Sequence, residues 1–282
     1  MIIRKKVWRM IEKTLENLRL KGALVHNITN YVTVNDCANI LIACGAAPIM
    51  ADDAGEVEEI TSICSALNIN IGTLNERTIE AMFLAGKRAN ALGHPVLLDP
   101  VGAGASKLRT ETALRLLQEV KFAVIRGNIS EIKTLALGVG STKGVDADVA
   151  DAVTEDTLDN AVALAKSFSK KTGAVIAITG AIDIVADENQ AYCIRNGHPM
   201  MSQITGTGCQ LSAMTTAFIA ANPDHKLEAT AGAVCAMGLC GEKAYGRMGA
   251  LDGNASYRNY IIDAVYNLGT EQLKEGANYE MR

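Results

Sequence analysis

From Ala23 onward the chain alternates short β-prone runs with longer stretches of helical periodicity, and this alternation is the strongest constraint on its fold. The predicted strands are 23–28 (ALVHNI), 47–50 (APIM), 68–72 (NINIG), 95–99 (PVLLD), 122–126 (FAVIR) and 174–179 (AVIAIT). Helical patterns fill the gaps at 31–44, 55–66, 76–92, 110–119, 129–137 and 154–171. Strands that follow one another through helices pair in parallel and are covered on both faces, which gives an α/β class with a mostly parallel central sheet. The runs 181–187 (AIDIVAD) and 190–197 (QAYCIRNG) are separated by Glu188-Asn189 and read as an antiparallel hairpin at the sheet edge. Helices are then expected at 207–221, 226–247 and 255–273.

One large domain, 1–282, is expected, because 282 residues lie near the upper limit that one hydrophobic core serves. Hydrophobic residues make up 49% of the chain and aromatic ones only 4%, so the core is built from Ala, Ile, Leu and Val. A net charge of −4, from 27 basic and 31 acidic residues without a block of one sign, lacks the footprint of a nucleic-acid binder. The first 22 residues mix charged and apolar positions at helical spacing and read as an amphipathic helix, with no signal-peptide core. No membrane association is expected. Seven cysteines (Cys37, Cys44, Cys64, Cys193, Cys209, Cys235 and Cys240) are an odd number without a C-x-x-C pair, which fits a reducing cytoplasm better than disulfides or zinc. The acidic stretch 140–160 reads as a surface excursion ending at a helix N-cap.

In open α/β sheets ligands bind beyond the carboxyl ends of the strands, so unusual residues there are the candidates for chemistry. The segment 204–214 (ITGTGCQLSAM) places glycines just before a helix, where unpaired first-turn amides attract an anion. Within it, Gly206 permits close backbone approach, and the helix dipole is expected to lower the thiol pKa of Cys209. A base and a nucleophile are both open to Cys209 on these grounds, as is inert packing. Asp99 ends a strand in DPVGAGA, where a carboxylate can hold Mg²⁺ through water or simply organise the turn. Asn128 and Glu131 in IRGNISEI have the spacing of a capping box, and Arg126 beside them requires an anionic acceptor. Thr179, Met50 and the group Asn27, Thr29 and Asn30 complete the strand ends.

Taken in order, VHNITNYVTVNDCAN, GAAPIMA, LNINIGTL, LDPVGAGA, IRGNISEI, KGVDA, IAITG and TGTGC resemble the hydroxyethylthiazole kinases of the ribokinase-like superfamily, from about Leu24 to Gly241. The resemblance implies a three-layer α/β/α ribokinase-like fold and ATP-dependent phosphorylation of 4-methyl-5-(2-hydroxyethyl)thiazole, a salvage step toward thiamine. It also implies Mg²⁺ and a homotrimer with active sites between subunits. By matching motifs, Met50 and Gly206 would contact the thiazole substrate, with Asn30 bordering it. Arg126 and Thr179 would contact ATP. Asp99 and Glu131 would place the metal, and Cys209 would be the catalytic group. Many superfamily relatives carry Asp at the position of Cys209, so the cysteine favours the thiazole branch over sugar and hydroxymethylpyrimidine kinases. Two rivals from other classes are a thiol-dependent hydrolase acting through Cys209 and a non-catalytic binding protein that kept the pocket.

Overall fold

The structure, a computed structural model, describes residues 2–138 and 152–282. Nine strands form one sheet in the order β2-β1-β3-β4-β5-β6-β7-β8-β9. They are β1 (Leu24–Ile28), β2 (Ala47–Met50), β3 (Ala66–Asn70), β4 (Val96–Asp99), β5 (Val124–Asn128), β6 (Val175–Thr179), β7 (Asp183–Ala186), β8 (Ala191–Ile194) and β9 (Tyr279–Met281). The first six pair in parallel and the last three join antiparallel. Two expectations change. The strand placed at 68–72 spans Ala66 to Asn70, with only Cys64 and Ser65 between it and the preceding helix, and the 181–197 hairpin is not the edge of the sheet. Its outer strand β8 is covered by β9, three residues with no periodicity of their own, registered through Cys193 and Glu280.

Helices cover both faces. On one side lie α1 (Ile2–Lys21), α2 (Val34–Cys44), α8 (Thr207–Ala221), α9 (Lys226–Gly246), α10 (Asn254–Tyr266) and α11 (Thr270–Gly276), packed through Leu15, Leu41, Phe218 and Tyr257 onto Val25, Leu97 and Val124 of the sheet. On the other lie α3 (Val57–Ile63), α4 (Glu76–Leu92), α5 (Lys107–Glu119), α6 (Ile129–Leu137) and α7 (Leu158–Thr172), packed through Phe83, Leu116 and Phe168 onto Leu67, Ile69, Leu98 and Ile125. Each such side chain taken from water contributes about 1.5–3 kcal/mol. The sheet residues alternate between the two cores because successive side chains of a strand point to opposite faces. This is the α/β/α layering expected. The helix predicted over 255–273 is two helices, interrupted after Tyr266 and restarted from Gly269. Of the acidic stretch 140–160, positions 140–151 fall outside the described residues, and α7 follows from its N-cap Thr157.

Helix ends are set by local chemistry. Asn75 and Thr78 form a reciprocal capping box at the start of α4, and α4 stops at Gly93, whose φ of 72° only glycine adopts without strain. Among the described residues no helix is long and apolar enough to cross a membrane. All seven cysteines are free, and only Cys209 is not fully buried.

Candidate active site

Parallel pairing puts the carboxyl ends of β1 and β3 to β6 along one edge, and α8 begins against that edge. Register aligns Asn70 with Asp99 and Asn128 with Thr179, so these side chains share faces with their partners. The polar residues among NINIG are the anomaly in an otherwise apolar buried strand, since Asn68 and Asn70 alternate with Leu67 and Ile69 and face α8.

Asp99 is the centre of the cluster and is fully buried. Its Oδ2 accepts from Asn70 Nδ2 at 2.8 Å and from Ser212 Oγ at 2.8 Å, with Arg126 Nη1 at 3.6 Å. Burial pushes its pKa up, opposed by the Arg126 charge and by the bonds from Ser212 and Asn70. Arg126 also donates to Thr179 Oγ1, so its demand for an acceptor is met in part inside the protein. Its guanidinium lies on Gly208 in the first turn of α8, where a Cβ would stand 2.5 Å from Nη1.

Cys209 Sγ accepts from Asn30 Nδ2 at 3.2 Å and from Asn70 Nδ2 at 3.3 Å. The expectation of a lowered thiol pKa is corrected here. Burial raises it, the nearby Asp99 charge raises it further, and hydrogen bonding with Thr33 and Asn30 and the charge of Arg126 only partly offset this. The helix dipole cannot prevail over lost solvation in a site that also holds a carboxylate. Gly206 is the N-cap of α8 with φ of 91°, and a Cβ there would meet Thr33 Cγ2 at 2.5 Å. Thr33 in turn donates through its amide and hydroxyl to Asn30 Oδ1.

Glu131 and Asn128 make the anticipated capping box at the start of α6. Glu131 Oε2 accepts from Asn128 N at 2.8 Å, and Oε1 accepts from Gly102 N, in the loop after Asp99, at 2.7 Å. Burial, and then the Asp99 charge, push its pKa up to about 7. Asp183 at the start of β7 accepts from Gly180 N at 2.8 Å; burial of its carboxyl raises the pKa to about 7, eased by that bond and by Arg126, although the residue as a whole keeps some exposure.

The fold thus gathers Cys209, Asp99, Arg126, Thr179 and Glu131 in one place, with Gly206 joined to them through Thr33 and Asn30. Met50 stands apart at the end of the edge strand β2, aligned with Asn27 and packed on the α8-side core, and makes no part of the polar network. Asn70, Ser212 and Asp183 did not stand out in the sequence. The alternation in NINIG could have revealed the first; Ser212, one helical turn after Cys209, could have revealed the second. Two surface clefts, of about 410 and 340 Å³, lie elsewhere, one on α4 and α5 around Phe83 and one beside His225.

The profile of the hydroxyethylthiazole kinase family matches residues 15–271, beyond both ends of the segment that carried recognisable motifs. A hydroxyethylthiazole kinase of Clostridium acetobutylicum is 71% identical over 271 residues, 96% of this chain and 99% of that protein. This chain belongs to the hydroxyethylthiazole kinase family. The structure of a hydroxyethylthiazole kinase from Pyrococcus horikoshii OT3 superposes with a TM-score of 0.86 at 34% identity, covering 97% of this chain and 99% of that one. A ribokinase-like superfamily protein of Enterococcus faecalis, 12% identical, superposes with a TM-score of 0.62 over 93% of this chain and 95% of its own, a likeness of fold alone. The layered sheet is therefore the ribokinase-like fold, and the family is one of phosphotransferases.

Proposed function

We propose that the chain, acting as one domain over 1–282, transfers the γ-phosphoryl group of ATP to the hydroxyl of 4-methyl-5-(2-hydroxyethyl)thiazole, a salvage step that feeds thiamine synthesis. The observation that carries this reading is the junction of a helix N-terminus with Cys209, Asp99, Arg126 and Thr179 at the strand ends. Phosphoryl transfer needs little covalent help and much positioning and charge neutralisation, which such a junction supplies. The alcohol oxygen forms a bond to the γ-phosphorus as the bond to the ADP oxygen breaks. The first amides of α8 face the moving group, and Arg126, steadied by Thr179, balances its charge. Met50 and Gly206 flank the thiazole, with Asn30 at its border.

Cys209, whose raised pKa keeps the thiol protonated, orients the substrate hydroxyl and does not take its proton, which a loose transition state releases late, to a phosphoryl oxygen or to water. The same raised pKa counts against covalent thiol chemistry, as does the absence of a His among its bonding partners. Mg²⁺ fits the residues present. Asp99 Oδ1 is buried without a partner, and each Glu131 oxygen keeps a lone pair beyond its backbone bond, so both can accept from water in a cation's shell. When bound, the ion supplies further neutralisation of phosphate charge. Among the described residues no cluster of three His, Cys, Asp or Glu side chains would cage a metal by itself, in keeping with a cation held largely by phosphates and water.

The chain is read as a cytoplasmic homotrimer with active sites between subunits; seven unpaired cysteines support the compartment, and family membership supports the assembly. The test is ADP release with hydroxyethylthiazole, ATP and Mg²⁺, run against ribose and hydroxymethylpyrimidine. Preferential turnover of either competitor overturns the substrate assignment.

A further inference from the structure

Asn70 is the side chain that bonds both Cys209 and Asp99, and every hydrogen-bonding position it has is used. Its Oδ1 accepts from Gly72 N at 2.9 Å and from Asn30 Nδ2 at 3.0 Å, and its Nδ2 donates to Asp99 Oδ2 and Cys209 Sγ. A backbone N–H can only donate, so Gly72 fixes which end of the amide is oxygen, and the nitrogen must face the carboxylate and the sulfur. The same reasoning orients Asn30, whose Oδ1 is fixed by Thr33 N. Both amides are nearly or fully buried.

Two N–H groups thus point at one sulfur. A divalent sulfur carries two lone pairs besides its proton, so accepting from both amides leaves a single direction for the proton of the thiol. Gly72 belongs to the same device. A Cβ there would lie 3.0 Å from Asn70 Oδ1 and 3.1 Å from Asn30 Nδ2, tighter than ordinary contact, so a bare backbone is what lets the two amides sit together. Asn70 thereby donates at once to the Cys209 sulfur and to the Asp99 carboxylate.

We infer that Asn70 is a positioning residue for phosphoryl transfer, which locks Cys209 in one orientation and ties it to Asp99. The inference rests on the reading of Cys209 as part of the kinase site. It differs from that reading in locating the orienting device on β3, in a residue whose four hydrogen bonds all go to protein groups.

The test is a double-mutant cycle in steady-state kinetics, Asn70→Ala with Cys209→Ala, accompanied by thermal melts. Asn70→Ala is expected to lower kcat about 10–100-fold while the KM for the alcohol stays within about threefold. In the Cys209→Ala background the same change should cost at least about fivefold less, the residue being Asn70's bond to Asp99, which Ser212 and Arg126 still hold. Gly72→Ala, which displaces the amides without removing either, should reproduce the kcat loss and the coupling. Equal losses in both backgrounds, or a loss confined to KM, overturns the inference alone. A Cys209→Ala enzyme with parental kcat overturns the reading of Cys209 and the inference with it. Should Asn70→Ala fail to fold, Asn70→Ser, which keeps one donor and one acceptor, is judged by the same cycle.

Discussion

Gly208→Ala separates stability from activity at this site. Gly208 is the second residue of α8 and has no left-handed backbone, so alanine suits its conformation and helix propensity favours the change by up to about 1 kcal/mol. The added methyl, however, would stand 2.5 Å from Arg126 Nη1, 2.8 Å from Nη2 and 3.0 Å from Cζ. Ordinary contact begins near 3.4 Å, so the guanidinium must withdraw by about 1 Å, a shift of the size that costs about 10²-fold when a charge-bearing group is misplaced. The clash meets the end of a long side chain, not backbone, so the fold absorbs it at little expense. The expected result is a melting temperature within about 2 °C of the parent and kcat/KM about 10²-fold lower in the ADP-release assay. Arg126→Ala added to Gly208→Ala should cost far less than in the parent, because its effect is already spent. Turnover within about threefold of the parent would refute the claim that the position of Arg126 over the first turn governs the rate.

Gly206→Ala should behave in the opposite sense: a φ of 91° and a methyl 2.5 Å from Thr33 Cγ2 together cost about 2–4 kcal/mol, read as a clear fall in melting temperature. Cys209→Ala is expected to slow turnover yet leave measurable activity, whereas Cys209→Asp, whose carboxylate can accept from Asn30 and Asn70, should retain activity near or above the parent; complete loss in both variants would favour covalent thiol chemistry. Buried His26 bonds the carbonyl of Ala51 through Nε2 and the hydroxyl of Thr61 through Nδ1, and burial lowers its pKa against the opposing pull of Ala51. The unfolded chain takes up a proton near pH 6.5 that the folded chain refuses, so His26 contributes to stability above that pH and the contribution is lost as pH falls. Chemical denaturation between pH 7.5 and 5.5 should show a steeper acid-side decline for the parent than for His26→Gln, and parallel curves would count against this assignment.

Much of the fold was legible because its signals are local. Strands such as APIM and VIAIT and helices such as α4, α6 and α8 carry their own periodicity, caps and stops, and they appear where the pattern puts them. What escaped has weak local signal or one that periodicity overran. Strand β9 has no pattern of its own and is seen only paired to β8, while the break between α10 and α11 sits at Gly269, whose amide is capped by Gln272, inside a stretch of continuous helical spacing. The site divides in the same way. Asp99, Arg126, Thr179 and Cys209 stand out as unusual types at strand ends, whereas Asn70 and Ser212 take their importance from what they touch.

Residue type and spacing along the chain were enough to give the class of fold and the family, and to single out the strand-end residues of the candidate site. The electrostatics, by contrast, emerge only from the folded arrangement. Whether Cys209 is an activated thiolate turns on how much water it loses and on the charge of Asp99, which lies far away in sequence, and both raise the pKa that the helix start alone was expected to lower. Orientation was likewise invisible in the sequence: Gly72, two residues on, turns the Asn70 oxygen toward its own amide, but the groups that the Asn70 nitrogen meets, Asp99 and Cys209, arrive only once β3, β4 and α8 have come together.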